Sequence, residues 1–213
     1  MAAARPSVVD RPELPPCPCD GCTLEVDIAI QSSDKRMLGA HSRNIELYSP
    51  VLFGQRLEFE RRVHGLTIWI APESADVLML LLWYLHADRK QPRLDILPFD
   101  KLAAFAYAAE GYSIYSAMEV CRMCMRRFVS KHPLGVLAYA LEHGYRDLVD
   151  EAAPLTVCMG LGEVEKALSL VPEAFTCWVK YREPLVEGLN RATHPPVLYV
   201  KDGVSVSHGG CDL

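Results

Sequence analysis

The chain predicts an α+β fold: a small three-stranded sheet covered by helices, followed by a C-terminal helical extension. Three features carry that expectation. LEVDIAI (24–30) places Leu24, Val26, Ile28 and Ile30 at the two-residue period of a half-buried strand. The strand-like segments all end by Ala71. From Asp100 to about residue 191 the apolar residues recur at helical spacing only, and the tail beyond has two short β-prone pieces with no strong pattern. A doubly wound α/β sheet needs strands to keep alternating with helices, so that class is excluded.

The elements follow in order. After LEVDIAI, SSDK (32–35) has turn composition and RMLGAH (36–41) returns as a second strand, so the pair reads as a hairpin. A helix should begin near Ser42, a residue type suited to the N-cap, with Ile45, Val51 and Leu52 among its apolar positions and a kink or restart at Pro50. GLTIWIA (65–71) is the third strand, β-branched and aromatic, and Pro72 ends it. Ser74 caps a helix running through Leu85 that is apolar on nearly every side, which suits the centre of a core. Beyond a proline-bearing loop (88–98), Asp100 caps a helix with Leu102, Phe105, Ala106 and Ala109 on one face and Gly111 as its stop. A helix over about 114–130 carries Met118, Cys121, Met125 and Phe128, and Pro133 starts another that Gly144 stops. Further helices are expected over about 146–157, 163–171 and 173–191.

Composition narrows the function classes. The net charge of −5 gives no surplus of lysine and arginine for sequence-independent phosphate contact, and the basic clusters ERRVH (60–64) and RRFVSKH (126–132) read as solvated helix ends or loop edges. No nucleic-acid partner is expected. The most apolar run, VLMLLLWYL (77–85), is about half the length that crosses a bilayer and is flanked by Asp76, His86 and Asp88. No membrane association is expected either. MAAARPSVVDRPELPP lacks the apolar core of a signal peptide. An intracellular protein, of cytoplasm or nucleus, with its eight cysteines as free thiols is therefore expected.

The ordered segments together resemble a BTB/POZ domain. VDIAIQSSDKRMLGAHSRNIELYSPVLF matches the opening of that family, with Asp27, Leu38, His41, Ile45, Ser49, Pro50 and Leu52/Phe53 in the family's positions. IAPESADVLMLLLWYLHADRK is similar to its third strand and following helix, and FDKLAAFAYAAEGYSIYSAMEVC to its closing helix pair. HPLGVLAYALEHGYRDLVDEAAPLT is similar to the helical tail of short fungal-type members. Leu38 stands where the family has an aromatic residue, and Ser42 where it has a basic one, with Arg43 next. The resemblance implies a mixed sheet and four regions: a disordered Pro/Cys-rich arm (1–22), a BTB/POZ-like domain (23–132), a helical extension (133–192) and a tail (193–213). It further implies a non-catalytic protein–protein interaction module that self-associates as a homodimer or serves as an adaptor to partner proteins, among which some relatives use cullin-type ubiquitin ligases. Monomer and dimer both stay open. Interface candidates are Asp27 and Arg43 as a polar pair, and Ile45, Leu47, Tyr48, Leu52 and Phe53 as anchors.

His41 has no nucleophile or orienting group nearby in sequence, so it reads as a structural histidine whose ring bonds backbone groups. PCPCDGC presents Cys17, Cys19 and Cys22, which is the basis of a rival reading as a metal-binding or redox protein. A closed site would need a fourth ligand, for which His64, His208 and Cys211 are the candidates, none at a recognisable spacing. The expectation is thus a free-thiol arm, with no metal and no cofactor. Cys121 and Cys124 fall mid-helix, where no helix dipole lowers a thiol pKa, and Cys121, on the apolar stripe, reads as a small core residue. Gly160 and Gly162 form a helix–helix turn, while Asp202, Ser205 and His208 share one short tail with no scaffold to order them. No catalytic residue is expected.

Overall fold

The computed structural model describes residues 13–49, 51, 60–63 and 66–193. The chain divides into two compact units, Met1–Phe128 and Val129–Leu213.

The first unit is α+β. Strand β1 (Ile28–Gln31) pairs antiparallel with β2 (Met37–Ala40), Ile28 opposite Ala40. The turn between them is closed by Ser32, whose N–H donates to the Arg36 carbonyl and whose hydroxyl accepts the Arg36 N–H at 3.0 Å. Lys35 takes the left-handed conformation there, with φ at 66°. Helix α1 (Ser42–Tyr48) follows β2 directly. Strand β3 (Glu60–Val63) pairs antiparallel with β4 (Leu66–Ile70), and β4 runs parallel to β1 with Ile30 opposite Trp69. The sheet is mixed, in the order β2-β1-β4-β3. The three expected strands are present, and β3 joins them at an edge. It comes from ERRVH, which was expected to be a helix end or loop. Charged residues hide a strand from periodicity rules, yet edge strands commonly carry them because they discourage pairing with other chains.

The helical caps differ from expectation in three places. The residue before α1 is His41, in extended conformation, and Ser42 is already helical. Its N–H donates to Asp27 Oδ1 at 2.8 Å and its hydroxyl to the other oxygen of the same carboxylate. Asp27 therefore supplies from β1's approach the oxygen that a capping serine would have supplied. Helix α2 (Ala75–Tyr84) follows Ser74 as expected, but the N–H of Ala75 goes to Asp34 Oδ1 at 2.9 Å. Helix α3 (Phe99–Gly111) is preceded by Pro98, with Asp100 inside its first turn, where a carboxylate favours the helix dipole. Helix α4 (Tyr115–Arg126) buries Ala117, Cys121, Cys124 and Met125.

The core of this unit lies where α2 meets the sheet and α3. Ile30, Ile45, Leu85, Leu102, Phe105 and Met125 are among its largest fully buried side chains, and the Tyr84 and Phe105 rings meet tilted, with centroids 5.5 Å apart. Residues 13–22, expected to end a disordered arm, instead lie against β2. The N–H of Gly39 donates to the Pro16 carbonyl at 3.1 Å, and Cys19 is buried. A Cβ at Gly39 would overlap the Pro15 carbonyl oxygen, so glycine is what lets the arm's backbone approach this closely.

The second unit is helical: α5 (Pro133–His143), α6 (Arg146–Thr156), α7 (Leu161–Ala167) and α8 (Pro172–Thr193). Pro133 opens α5, and Gly144 ends it in the left-handed conformation at φ 75°, both as expected. Val136, Leu137, Tyr139, Leu148 and Val164 fill the interior, and Trp178 Nε1 donates to Thr156 Oγ1 at 2.8 Å. Gly160 is the N-cap of α7, the helix–helix turn the sequence implies. No helix among the described residues is long and apolar enough to cross a membrane.

Candidate metal centre

The arm, the β2–α1 junction and the end of α2 bring four chemically matched side chains to one point. Cys17 and Cys22 come from a tight turn in which the Cys22 N–H bonds the Cys19 carbonyl at 3.1 Å. Gly21, at φ 67°, makes that turn, and its carbonyl accepts Arg89 Nη2 at 2.7 Å. His41 is placed by the last pairing of β2 and the first turn of α1, whose Asn44 and Ile45 N–H groups bond its carbonyl. His86 leaves the end of α2, its N–H bonding the Trp83 carbonyl at 3.0 Å.

Both imidazoles are oriented by backbone. His41 Nδ1 lies 2.7 Å from the Glu25 carbonyl oxygen and His86 Nδ1 lies 2.7 Å from that of Leu82. A carbonyl only accepts, so each Nδ1 carries the proton and each Nε2 presents a lone pair. Those lone pairs meet sulfur. Cys22 Sγ is 3.3 Å from His41 Nε2 and 3.5 Å from His86 Nε2, and Cys17 Sγ is 3.6 Å from His86 Nε2. The rings stand edge to face at 5.2 Å and 76°. The four ligand atoms all lie within 4.8 Å of one another. His41 and His86 are 5% and 2% exposed, and both ligand cysteines are half-buried. Cys19 Sγ lies 3.3 Å from His86 Nδ1.

The thiols are electrostatically distinct. A hydrogen bond from Cys19, helped by His86 and His41, holds the Cys17 thiol down at about 3 against the opposing effect of burial. Its bond to Cys17 and then burial push Cys19 well above the ordinary thiol range, and burial raises Cys22. His86 is raised by its hydrogen bond to Cys17. By geometry the cluster gathers two thiol sulfurs and two imidazole Nε2 atoms, a donor set of the Cys₂His₂ kind that suits a soft divalent ion.

Of the residues named from sequence, Cys17 and Cys22 enter this cluster and Cys19 lies beside it. The fourth-ligand candidates His64, His208 and Cys211 lie outside the described residues, and the cluster is completed without them by His41 and His86. His41 does bond backbone, as a structural histidine should, but its second nitrogen is turned on a thiol. His86 was missed. Its only signal was its position, a histidine directly after a helix that is apolar on nearly every side. Cys121 and Cys124 are buried in α4, with burial raising both thiols.

The interface candidates separate. A groove of about 340 Å³ is lined by Asp27, Arg43 and Tyr48 together with Leu24, Asn44 and Asp88, and His41 forms part of its wall. Leu47 is 61% exposed. Ile45 is fully buried and belongs to the core, because the α1 face carrying it packs inward; it cannot anchor a partner. Asp27 spends both oxygens on Ser42. Leu52 and Phe53 lie outside the described residues. Comparison of the sequence with protein-family models and with curated proteins returns no match.

Proposed function

We propose that the chain acts as a non-catalytic protein–protein interaction module of the BTB/POZ kind, working inside the cell through the surface formed by the arm and α1. The observation that carries this reading is the groove that gathers Asp27, Arg43 and Tyr48, residues the resemblance assigns to an interface, beside the exposed Leu24. An aromatic and an aliphatic side chain flanked by charges is the composition of a protein-binding surface: apolar anchors supply burial and the polar rim sets register. Further support comes from the element order, in which a β-hairpin leads into a helix and the later strand β4 returns parallel to β1. A second copy of the chain is the first partner to test, and adaptor function toward a cullin-type ligase is the finer form of the same proposal.

Light scattering coupled to size exclusion on the full chain tests it, comparing the natural sequence with Tyr48→Asp. The expected result is a species heavier than the 23.8 kDa chain that becomes a monomer in the variant. If the chain is monomeric at high concentration, and crosslinking in cells yields no partner that Tyr48→Asp removes, the reading fails.

A further inference from the structure

We propose that Cys17, Cys22, His41 and His86 form a structural zinc site that fastens the amino-terminal arm to the β2–α1 junction and to the end of α2.

The spacing of the donors matches one ion. With Zn–S near 2.3 Å and Zn–N near 2.0–2.1 Å, sulfur and nitrogen ligands of one tetrahedral zinc stand about 3.6 Å apart. The three sulfur–nitrogen distances here are 3.3, 3.5 and 3.6 Å. Thiol hydrogen bonds alone satisfy the cluster less well. Two S–H protons would serve the two Nε2 lone pairs and leave the third close sulfur–nitrogen contact without a bond, whereas a single cation is coordinated by all four atoms. The Nδ1–H to carbonyl bonds at Glu25 and Leu82 are the outer-shell contacts that fix the tautomer of metal-bound histidines and aim Nε2 at the ion.

Donor chemistry selects the ion. Two thiolates and two imidazoles in tetrahedral array suit zinc, while calcium and magnesium demand oxygen. Four protein ligands leave no open position for water, and both imidazoles are almost wholly shielded, so the site is structural. Cys17 and Cys22, five residues apart within the turn, provide the local half of the site. The histidines provide the distant half, from points 19 residues (Cys22 to His41) and 64 residues (Cys22 to His86) further along the chain. The ion thus crosslinks segments that otherwise meet through the Gly39–Pro16 and Arg89–Gly21 bonds. It also holds the segment that follows Cys22, whose Leu24 and Glu25 form a wall of the groove. This inference stands whether or not that groove binds a protein.

The test uses the full chain, reduced and reconstituted with zinc alone. One zinc per chain is expected to survive gel filtration, and zinc-edge X-ray absorption should show two sulfurs near 2.3 Å and two nitrogens near 2.0–2.1 Å. Cobalt in place of zinc should give tetrahedral d–d bands with sulfur-to-metal charge transfer. Cys22→Ser should weaken zinc by more than the about 10–100-fold that outer-shell changes cost, while Cys177→Ser, on an exposed α8 cysteine, leaves it unchanged. The absorption measurement needs no variant, so a misfolded Cys22→Ser does not blunt the test. Failure of the reconstituted chain to retain zinc, or a coordination shell with three or more sulfurs or rich in oxygen, overturns the assignment.

Discussion

In the metal-free protein, Gly39→Ala isolates the docking of the arm on β2. Gly39 lies in β2, its φ is not in the left-handed region, and alanine there carries no backbone strain. The three atoms nearest to an added Cβ all belong to Pro15 and Pro16, so the clash falls on the arm alone. Displacing the arm forfeits the bond from the Gly39 N–H to the Pro16 carbonyl, worth about 0.5–1.5 kcal/mol net. It also returns the buried Cys19 to water, worth about 1 kcal/mol for a side chain of roughly one methylene and one sulfur. The expected loss is about 2 kcal/mol. In a chain beginning at residue 23 the clash partner is gone, and the same change should stabilise by about 0.4–1 kcal/mol, since alanine restricts the unfolded chain. Urea unfolding followed by circular dichroism measures both, and the sign of the effect should reverse between the two backgrounds. An equal cost in both, or no cost in the full chain, would refute the docking of the arm on β2.

Ile45→Asp should unfold the first unit because it buries an unpaired charge at a fully buried site, whereas Leu47→Asp should change stability by less than about 0.5 kcal/mol; thermal melts of the two variants distinguish a core position from a surface one. Brief alkylation of the native, zinc-loaded protein should modify the exposed Cys158 and Cys177 well before Cys121 and Cys124, whose thiols burial raises, and adding a strong chelator should bring Cys17 and Cys22 into the reactive set, as read by peptide mass mapping. Asp34 has its carboxyl held below the usual range by the Ser32 hydroxyl and the Ala75 N–H. A depressed folded pKa means its contribution is present above the unfolded value, about 3.9, and is lost as pH falls through the folded value. Asp34→Asn should therefore flatten the acid side of a stability–pH curve while leaving its neutral-to-alkaline side parallel to that of the natural sequence.

Much of the architecture was legible in the chain because it rests on local periodicity. The alternation through Ile28 and Ile30, the wholly apolar run of α2, and the stops at Pro133 and Gly144 each encode their element within a few residues. Strand β3 was not legible, since ERRV has no alternation to distinguish it from a solvated edge; its partner β4 decides its state. The caps show the same division. Ser42 and Ser74 mark the right places, but the bonding oxygens come from Asp27 and Asp34, each reached across the fold.

The cluster is the sharpest case. Sequence alone placed Cys17 and Cys22 in one short Pro/Cys-rich arm, read as disordered, and set His41 and His86 each beside the end of a regular element. Only tertiary structure decided that these four meet, because the parallel return of β4 beside β1 carries α2 back across the sheet and sets its last turn beside the β2–α1 junction. Spacing along the chain governs contacts within a few residues, where backbone geometry limits the options. Contacts across tens of residues depend on how the sheet is ordered, which no local pattern encodes.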